Sequence, residues 1–360
     1  MSLTLRPFTP ADAPAVAALH SAVDWPVRSA ESWRWLAANP ARAPDFPIGW
    51  LAEDRGRAAF VGEFPQRFWI GEQPVLGVTG YSIIVPPELR GAAGRLIRKI
   101  MNRDDAALIY TLNANALSAP LYHRHGLGPY PEASNALKLA WMIDPVVAAG
   151  AGIVRRLWPD LSGRSGPERL MNRRLGRNSQ LRLPPRVTPL EGFGDDWTLF
   201  WSRLKSEDRV LADRSAETMR WRLGEPDGTL SPVLLTYRRD GAITGFLWGQ
   251  MAKMSRLEPP VLDIIDLVTL KTEPDAASAL AGALIANAHR LGGAKVRLQV
   301  VSPDMLKALG PLARRARREG GWGHGHARFA PEHAGRLRGG WSPTPFDGDY
   351  SFCLRPVPAS

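Results

Sequence analysis

Apolar positions along the chain fall into two successive sets of short strand-like runs, each interrupted by helical patterns. In the first set, residues 3–8 read as a strand, and Asp12 is placed to cap a helix running through Val16 and Leu19. A second helix starts at SAESWRW, with Ser29 as its cap. Strand-like runs follow at 49–52, 58–64 and 75–85, then a helix from Gly91, a strand at 107–112 and a short helix through Pro120, Leu121 and Tyr122. The run 137–143 closes this set. In the second set, strands are expected at 233–237, 243–250, 261–270 and 295–301, a helix at 276–291, and a final strand at 350–355. Strand-rich segments interrupted by a few helices indicate an α+β, or mixed α/β, architecture.

The two sets echo each other. SAESWRW (29–35) and SAETMRW (215–221) agree at five of seven positions with an offset of 186. Upstream of each lies an apolar segment containing Thr and Pro, LTLRPFTP and RVTPL. A duplicated fold accounts for both observations. The expected division is 1–145, a Gly-, Pro- and Arg-containing linker or crossover at 146–185, and 186–360.

One stretch carries candidate chemistry. VPPELRGAAGRL (85–96) leaves an apolar strand, crosses two prolines and enters a helix through small residues. A helix N-terminus presents unpaired N–H groups and partial positive charge, and anions dock there when side chains leave the approach bare. Gly91, Ala92, Ala93 and Gly94 leave it bare, and Arg90 and Arg95 add positive charge. Two readings fit equally: a pyrophosphate cradle, or a plain strand–loop–helix joint whose small residues allow close packing. A P-loop is excluded, since no GK[ST] follows Gly94. The dinucleotide fingerprint fails as well.

Composition narrows the setting. With 360 residues and 44% hydrophobic content, two ordinary domains with real cores are expected. No apolar run reaches the ~18 residues of a membrane span, and the N-terminus lacks the apolar core of a signal peptide. A soluble, cytoplasmic protein is expected. Cys353 is the single cysteine, so no intrachain disulfide forms. The net charge of +11 suits a polyanion, an anionic surface or a phosphorylated cofactor. Arginines cluster at Arg173 and Arg174 and at Arg314, Arg315, Arg317 and Arg318; around the last cluster there is no helix-turn-helix punctuation or zinc spacing. The latter cluster reads as a solvated helix face. His324 and His326, in a Gly-rich loop, lack nearby Cys or acidic partners, so no metal is expected.

VPPELRGAAGRL resembles the acyl-CoA-binding motif of the GNAT (GCN5-related N-acetyltransferase) superfamily, with Arg90 in its first position and Ala93 in its second. Arg95 departs from the small residue usual there. Residues 76–85, LGVTGYSIIV, fit that family's fourth strand. YTLNANALSAPLY and HRHGL (110–127) resemble its fifth strand and next helix, with Asn115, Tyr122 and Gly126 in order. The resemblance covers residues 3–145; the second half shares it in outline, as a degenerate tandem copy. There VLDIIDLVTL runs into KTEPDA, where Glu273 and Asp275 oppose phosphate.

The resemblance implies two tandem domains, each with a central, mixed, mostly antiparallel sheet flanked by helices. It implies acyl-CoA, acetyl-CoA first, as cosubstrate of the first domain. Val85, Arg90, Gly91, Ala92, Ala93, Gly94, Arg95 and Asn115 would hold it, Asn115 alternatively capping its helix. The acyl group would pass to a primary amine of a small molecule or amino sugar. Tyr122 would protonate the departing thiolate, and Val85 N–H would polarise the thioester carbonyl. Glu63 is the leading candidate base, with His123 and His125 as alternatives. Asp263 and Asp266, three apart and so on opposite faces of a regular strand, would hold a cationic substrate or serve as partnered structural acids. Two alternatives remain: a catalytically silent acyl-CoA-binding or scaffold protein, and a tandem transferase fed by aminoacyl-tRNA.

Overall fold

The computed structural model describes residues 3–157, 169, 171, 172, 175, 180–253, 258–320 and 323–353. The first half runs β1 (Thr4–Pro7), α1 (Ala13–Ala22), α2 (Ala30–Ala37), β2 (Gly49–Asp54), β3 (Arg57–Ile70), β4 (Gln73–Ile84), α3 (Ala92–Met101), β5 (Leu108–Ala114), α4 (Ala119–Arg124), β6 (Gly128–Pro129) and β7 (Lys138–Met142). Next comes α5 (Pro145–Leu157), inside the expected linker. The second half runs β8 (Val187–Pro189), α6 (Asp195–Ser206), β9 (Val210–Ala212), α7 (Ala216–Leu223), β10 (Val233–Arg239), β11 (Ala242–Ala252), β12 (Val261–Thr269), α8 (Ala276–Ala288), β13 (Lys295–Leu298), α9 (Pro303–Leu309), α10 (Pro311–Arg315), β14 (Arg317–Glu319), β15 (His324–Phe329) and α11 (Ala334–Gly340).

These strands build two sheets of the same design. One has the order β1-β2-β3-β4-β5-β15-β6, with β9 added beside β3; the other has the order β8-β10-β11-β12-β13-β7-β14. Each is mostly antiparallel with one parallel pair, β4/β5 or β12/β13. Helices flank both, so the mixed α/β architecture with two like units holds.

The sheets do not follow the sequence halves. The run expected to close the first set, β7, lies in the second sheet between β13 and β14. Its counterpart β15, displaced by the same offset as the SAE repeat, lies in the first sheet between β5 and β6. Periodicity defines a strand but not its partner, because any apolar strand of matching length can fill either slot. The Gly-rich region around His324 and His326 is thus strand rather than loop. Arg317 and Arg318 occupy the edge strand β14 instead of a helix face, where charge discourages further pairing. β3 also outruns its expected end, because its residues Phe68–Ile70 pair with β9.

The repeat helices α2 and α7 meet across a local two-fold. Each is capped by the serine of its motif: Ser29 accepts from the Ser32 N–H and Ser215 from the Thr218 N–H. Trp35 and Trp221 stack with centroids 4.6 Å apart and planes 9° apart. Each indole N–H donates to the other tryptophan's carbonyl, at 2.6 and 2.8 Å.

The chain then returns to this junction. Thr344 and Asp347 form a capping box around the 3-10 turn Pro345–Asp347. Residues 344–353 continue as a strap between the sheets, not as the expected final strand; turns occupy 350–352, and 354–355 lie outside the described residues.

Candidate active site

β4 and β5 run parallel but pair only at Gly77/Leu108, Val78/Ile109 and Thr79/Tyr110. Beyond that they part, because each is bulged. On β4, Ser82 and Ile83 together oppose Val61 of β3, and Ser82 takes a φ of 49°. On β5, Leu112 and Asn113 together oppose Gly325 of β15. The result is a gap flanked on one side by Tyr81 and on the other by Leu112 and Asn113. Tyr81 is fixed by donating to the Ile48 carbonyl at 2.8 Å. Its ring fits only because position 62 is glycine: a Cβ there would lie 2.2 Å from it.

The helix that follows β4 starts at this opening. Ala92, Leu96, Ile97, Ile100 and Met101 of α3 are buried, the spacing of one helical face. Burying each large side chain stabilises by roughly 1.5–3 kcal/mol, which fixes the helix over the sheet. Its N-terminus has no acidic residue in the first turn and no side-chain cap. A Cβ on Gly91 or Gly94 would meet nothing within 4 Å, so no packing inside the protein demands glycine there. Arg90 and Arg95 are exposed, Ala93 is half-buried, and Val85 packs beside the α3 core.

Tyr122, on α4, is buried and shares a hydrogen bond with Thr111. Burial pushes its phenol well above the ordinary range, so it holds its proton. Thr111 Oγ1 donates to Asn113 Oδ1 at 3.3 Å, and Asn113 Nδ2 donates to Asp349 Oδ1 at 2.7 Å. The side-chain oxygen of Asn115 accepts from the N–H groups of Leu117 and Ser118, at 3.0 and 2.9 Å, and so is committed to the start of α4.

Glu63 pairs across the sheet with Gly80 and faces the α3 side, with Val61. It is buried. Trp50 Nε1 donates to its Oε2 at 2.7 Å, and Arg103 lies 3.7 Å from its Oε1. Burial raises its pKa to about 7, against the opposing pull of Trp50 and Arg103. His123 meets His326 edge-on at 4.7 Å. His326 is buried and its ring nitrogens have no protein partner among the described residues. No group of His, Cys, Asp or Glu among those residues is arranged to hold a metal ion.

Asp263 and Asp266 correct the sequence reading. β12 is bulged at Ile265, between the Ile264/Gly249 and Asp266/Trp248 pairs. The bulge turns both acids to one face, opposite Ile264 and Leu267. Neither is open to a cleft. Arg214 holds both oxygens of Asp266 through its Nε and Nη2, at 2.7 and 2.8 Å, and Arg297 holds Asp263 in the same way at 2.8 and 2.9 Å. Arg214 also reaches Asp347, at 3.2 Å, which ties β12 to the strap. The second sheet's parallel pair parts after Ile264/Leu298. Beyond it Glu273 pairs with Arg239 at 3.2 Å, and no glycine-rich turn follows β12.

Asn113, Thr111 and Asp349 escape a reading of the sequence. In TLNANAL either asparagine could face the gap, and only the bulge selects Asn113. Asp349 carries no local signal, because it reaches the site from the far end of the chain.

No family model and no curated protein matches this sequence. Solved structures do match. A GCN5-related N-acetyltransferase from Anabaena variabilis superposes with a TM-score of 0.54 at 16% identity, over 91% of this chain and 72% of that one. A putative acetyltransferase from Pyrococcus horikoshii gives 0.52 at 12%, over 92% and 90%. N-myristoyltransferase from Saccharomyces cerevisiae with bound myristoyl-CoA gives 0.52 at 12%, over 91% and 78%. The chain therefore has the GCN5-related acyltransferase fold, extended over both halves. No helix among the described residues is long and apolar enough to cross a membrane.

Proposed function

We propose that the protein is an N-acyltransferase that draws its acyl group from acyl-CoA bound by the first half, residues 1–145. The observation that carries this reading is the parting of β4 and β5 directly before an acid-free helix N-terminus. The N–H groups of residues 91–94 would take the pyrophosphate, with Arg90 and Arg95 beside it. The pantetheine arm would enter the gap, where Val85 N–H would polarise the thioester carbonyl. Tyr122, still protonated at neutral pH, would supply the proton to the departing thiolate. The acceptor would be a primary amine of a small molecule or amino sugar, acetyl-CoA the first donor, and the cytoplasm the setting. The second half, with its acids held by arginines, would act as a buttress. Acyl-CoA-bound neighbours such as the yeast N-myristoyltransferase support the donor class.

Calorimetric titration with acetyl-CoA and a long-chain acyl-CoA tests the reading, with Arg90→Glu as control. One-site binding that weakens at least tenfold in the variant is expected. A folded wild-type protein that binds neither thioester would overturn it.

A further inference from the structure

We propose that Asp349, carried by the strap, is the catalytic base that takes a proton from the attacking amine, and that the amine enters the gap from the strap side. This rests on the acyl-transfer reading above.

Placement is the first argument. The strap spans the underside of the gap from one bent strand to the other. On the β5 side, Asn113 donates to Asp349 at 2.7 Å and the Tyr350 hydroxyl donates to the Leu112 carbonyl at 2.9 Å. On the β4 side, the Phe352 ring lies edge-on to Tyr81 at 5.5 Å. Asn113 and Leu112 are the bulged residues of β5, and Tyr81 adjoins the bulge of β4. The carboxylate thus stands where the strands separate. The opposite face is filled by the apolar side of α3; beneath it Glu63 accepts the Trp50 N–H on Oε2, and its Oε1, 3.7 Å from Arg103, has no hydrogen-bond partner among the described residues. A thioester threaded from the α3 side leaves the strap side for the nucleophile.

The second argument is the partner inventory. Buried carboxylates normally carry a cation. Asp263, Asp266 and Asp347 each have an arginine within 3.2 Å. Asp349 is buried too but has no ion pair among the described residues; its hydrogen-bond partners are Asn113, the Cys353 thiol and its own backbone N–H. A carboxylate without an ion-pair partner at the separation of the strands attracts an ammonium group. Burial raises its pKa, offset by the Asn113 and Cys353 hydrogen bonds and by Arg28, in the direction a base needs. The ionisable groups around it are Arg28, Cys353, Tyr350, Tyr110 and Tyr122. Burial pushes the thiol and all three phenols upward, so among these groups an acid limb in the rate profile belongs to the carboxyl; Glu63, raised to about 7 on the α3 side, is separated from it by running Glu63→Gln beside the Asp349 variants.

The third argument is rigidity. Arg222 donates to the Phe346 carbonyl at 2.9 Å and to Ser351 Oγ at 2.8 Å. Trp341 Nε1 donates to Asp347 at 2.9 Å, and Tyr110 donates to the Asp347 carbonyl. Through Arg214, Asp266 of the second half anchors the same strap.

The step balances. One proton of the bound ammonium passes to the Asp349 carboxylate and frees the lone pair, which forms the C–N bond at the thioester carbon while the C–S pair leaves on sulfur. Tyr122 protonates the sulfur and regains a proton from the second that the nitrogen loses. Amide, free thiol and a protonated Asp349 result, and the carboxyl returns its proton to water.

The test uses the full chain, with Asp349→Asn and Asp349→Glu, acetyl-CoA as donor, and methylamine and hydroxylamine as probe nucleophiles. Methylamine is charged at neutral pH and needs a base; hydroxylamine is already neutral. Thiol release is followed against pH, acetyl-CoA binding by calorimetry, and folding by circular dichroism. Asp349→Asn should bind acetyl-CoA within about twofold of wild type, lose roughly 100-fold in transfer to methylamine together with the acid limb, and lose far less with hydroxylamine. Asp349→Glu should recover part of the rate. Unchanged transfer to methylamine, or equal losses with both probes, overturns the proposal. So does a wild type that binds acetyl-CoA but acylates neither probe, since a base at an open gap would serve any small amine. A wild type that binds no acyl-CoA removes the underlying acyl-transfer reading instead, and this proposal with it.

Discussion

Gly91 and Gly94 separate the needs of the fold from the needs of a ligand. Open space surrounds both, so Gly94→Ala should stabilise the free protein by up to about 1 kcal/mol through helix propensity. If backbone approaches phosphate there, the same methyl group should weaken acetyl-CoA binding severalfold; thermal melts and titrations on one sample check both. Glu63 makes a second residue-scale prediction. Its carboxyl is raised from 4.5 to about 7 by burial, so the folded state keeps a proton that the unfolded state has released between those values. Its contribution to stability is complete below 4.5, falls as pH rises to about 7 and is absent above. Glu63→Gln, always neutral, should flatten that slope, gaining on wild type by on the order of 3 kcal/mol across the window, as urea midpoints against pH would show. Small residues in the 91–94 turn are legible in sequence because their chemistry is local. The shared face of Asp263 and Asp266 is not, because it depends on a bulge at Ile265 that alternation alone does not reveal.

At the scale of elements, the strap and the α2/α7 pair matter most. Asp266→Ala leaves Arg214 with only part of its compensation and should cost about 3–5 kcal/mol. Protease cleavage within 344–353 should rise, because β12 no longer holds that segment; limited proteolysis with mass mapping reads this directly. The Trp35/Trp221 stack should show a coupling of about 0.5–1.5 kcal/mol in a double-mutant cycle with leucine at each position. Individual strands were readable from period, and Ser29 and Ser215 act as caps in both copies; Asp12 does not cap α1, because its carboxylate is held by Arg6 and the Thr9 N–H instead. The segment 350–355 misled, because its apolar residues Tyr350 and Phe352 serve core sites on both sides of a turn instead of one face of a strand.

For the whole molecule, the reciprocal placement of β7 and β15 governs folding. Residues 1–157 alone lack β15 and leave β5 with an open edge, and residues 180–360 alone lack β7 and leave β13 exposed. Each piece should be aggregation-prone by itself. Co-expression of the two should restore a soluble complex with a single melting transition, checked by size exclusion and circular dichroism. The doubled architecture was visible in the SAE echo; the exchange was not, because an apolar strand carries no mark of the sheet it will join.

The exchange has the form of a strand swap. Two identical subunits that traded their last strands would show the same reciprocal pairing, and joining them end to end would preserve it. Within such a pair the equivalent turns need not stay alike: one is bare at Gly91–Gly94, while the other carries Glu273 and Asp275, and the second half's Asp266 holds the chain's own tail through Arg214.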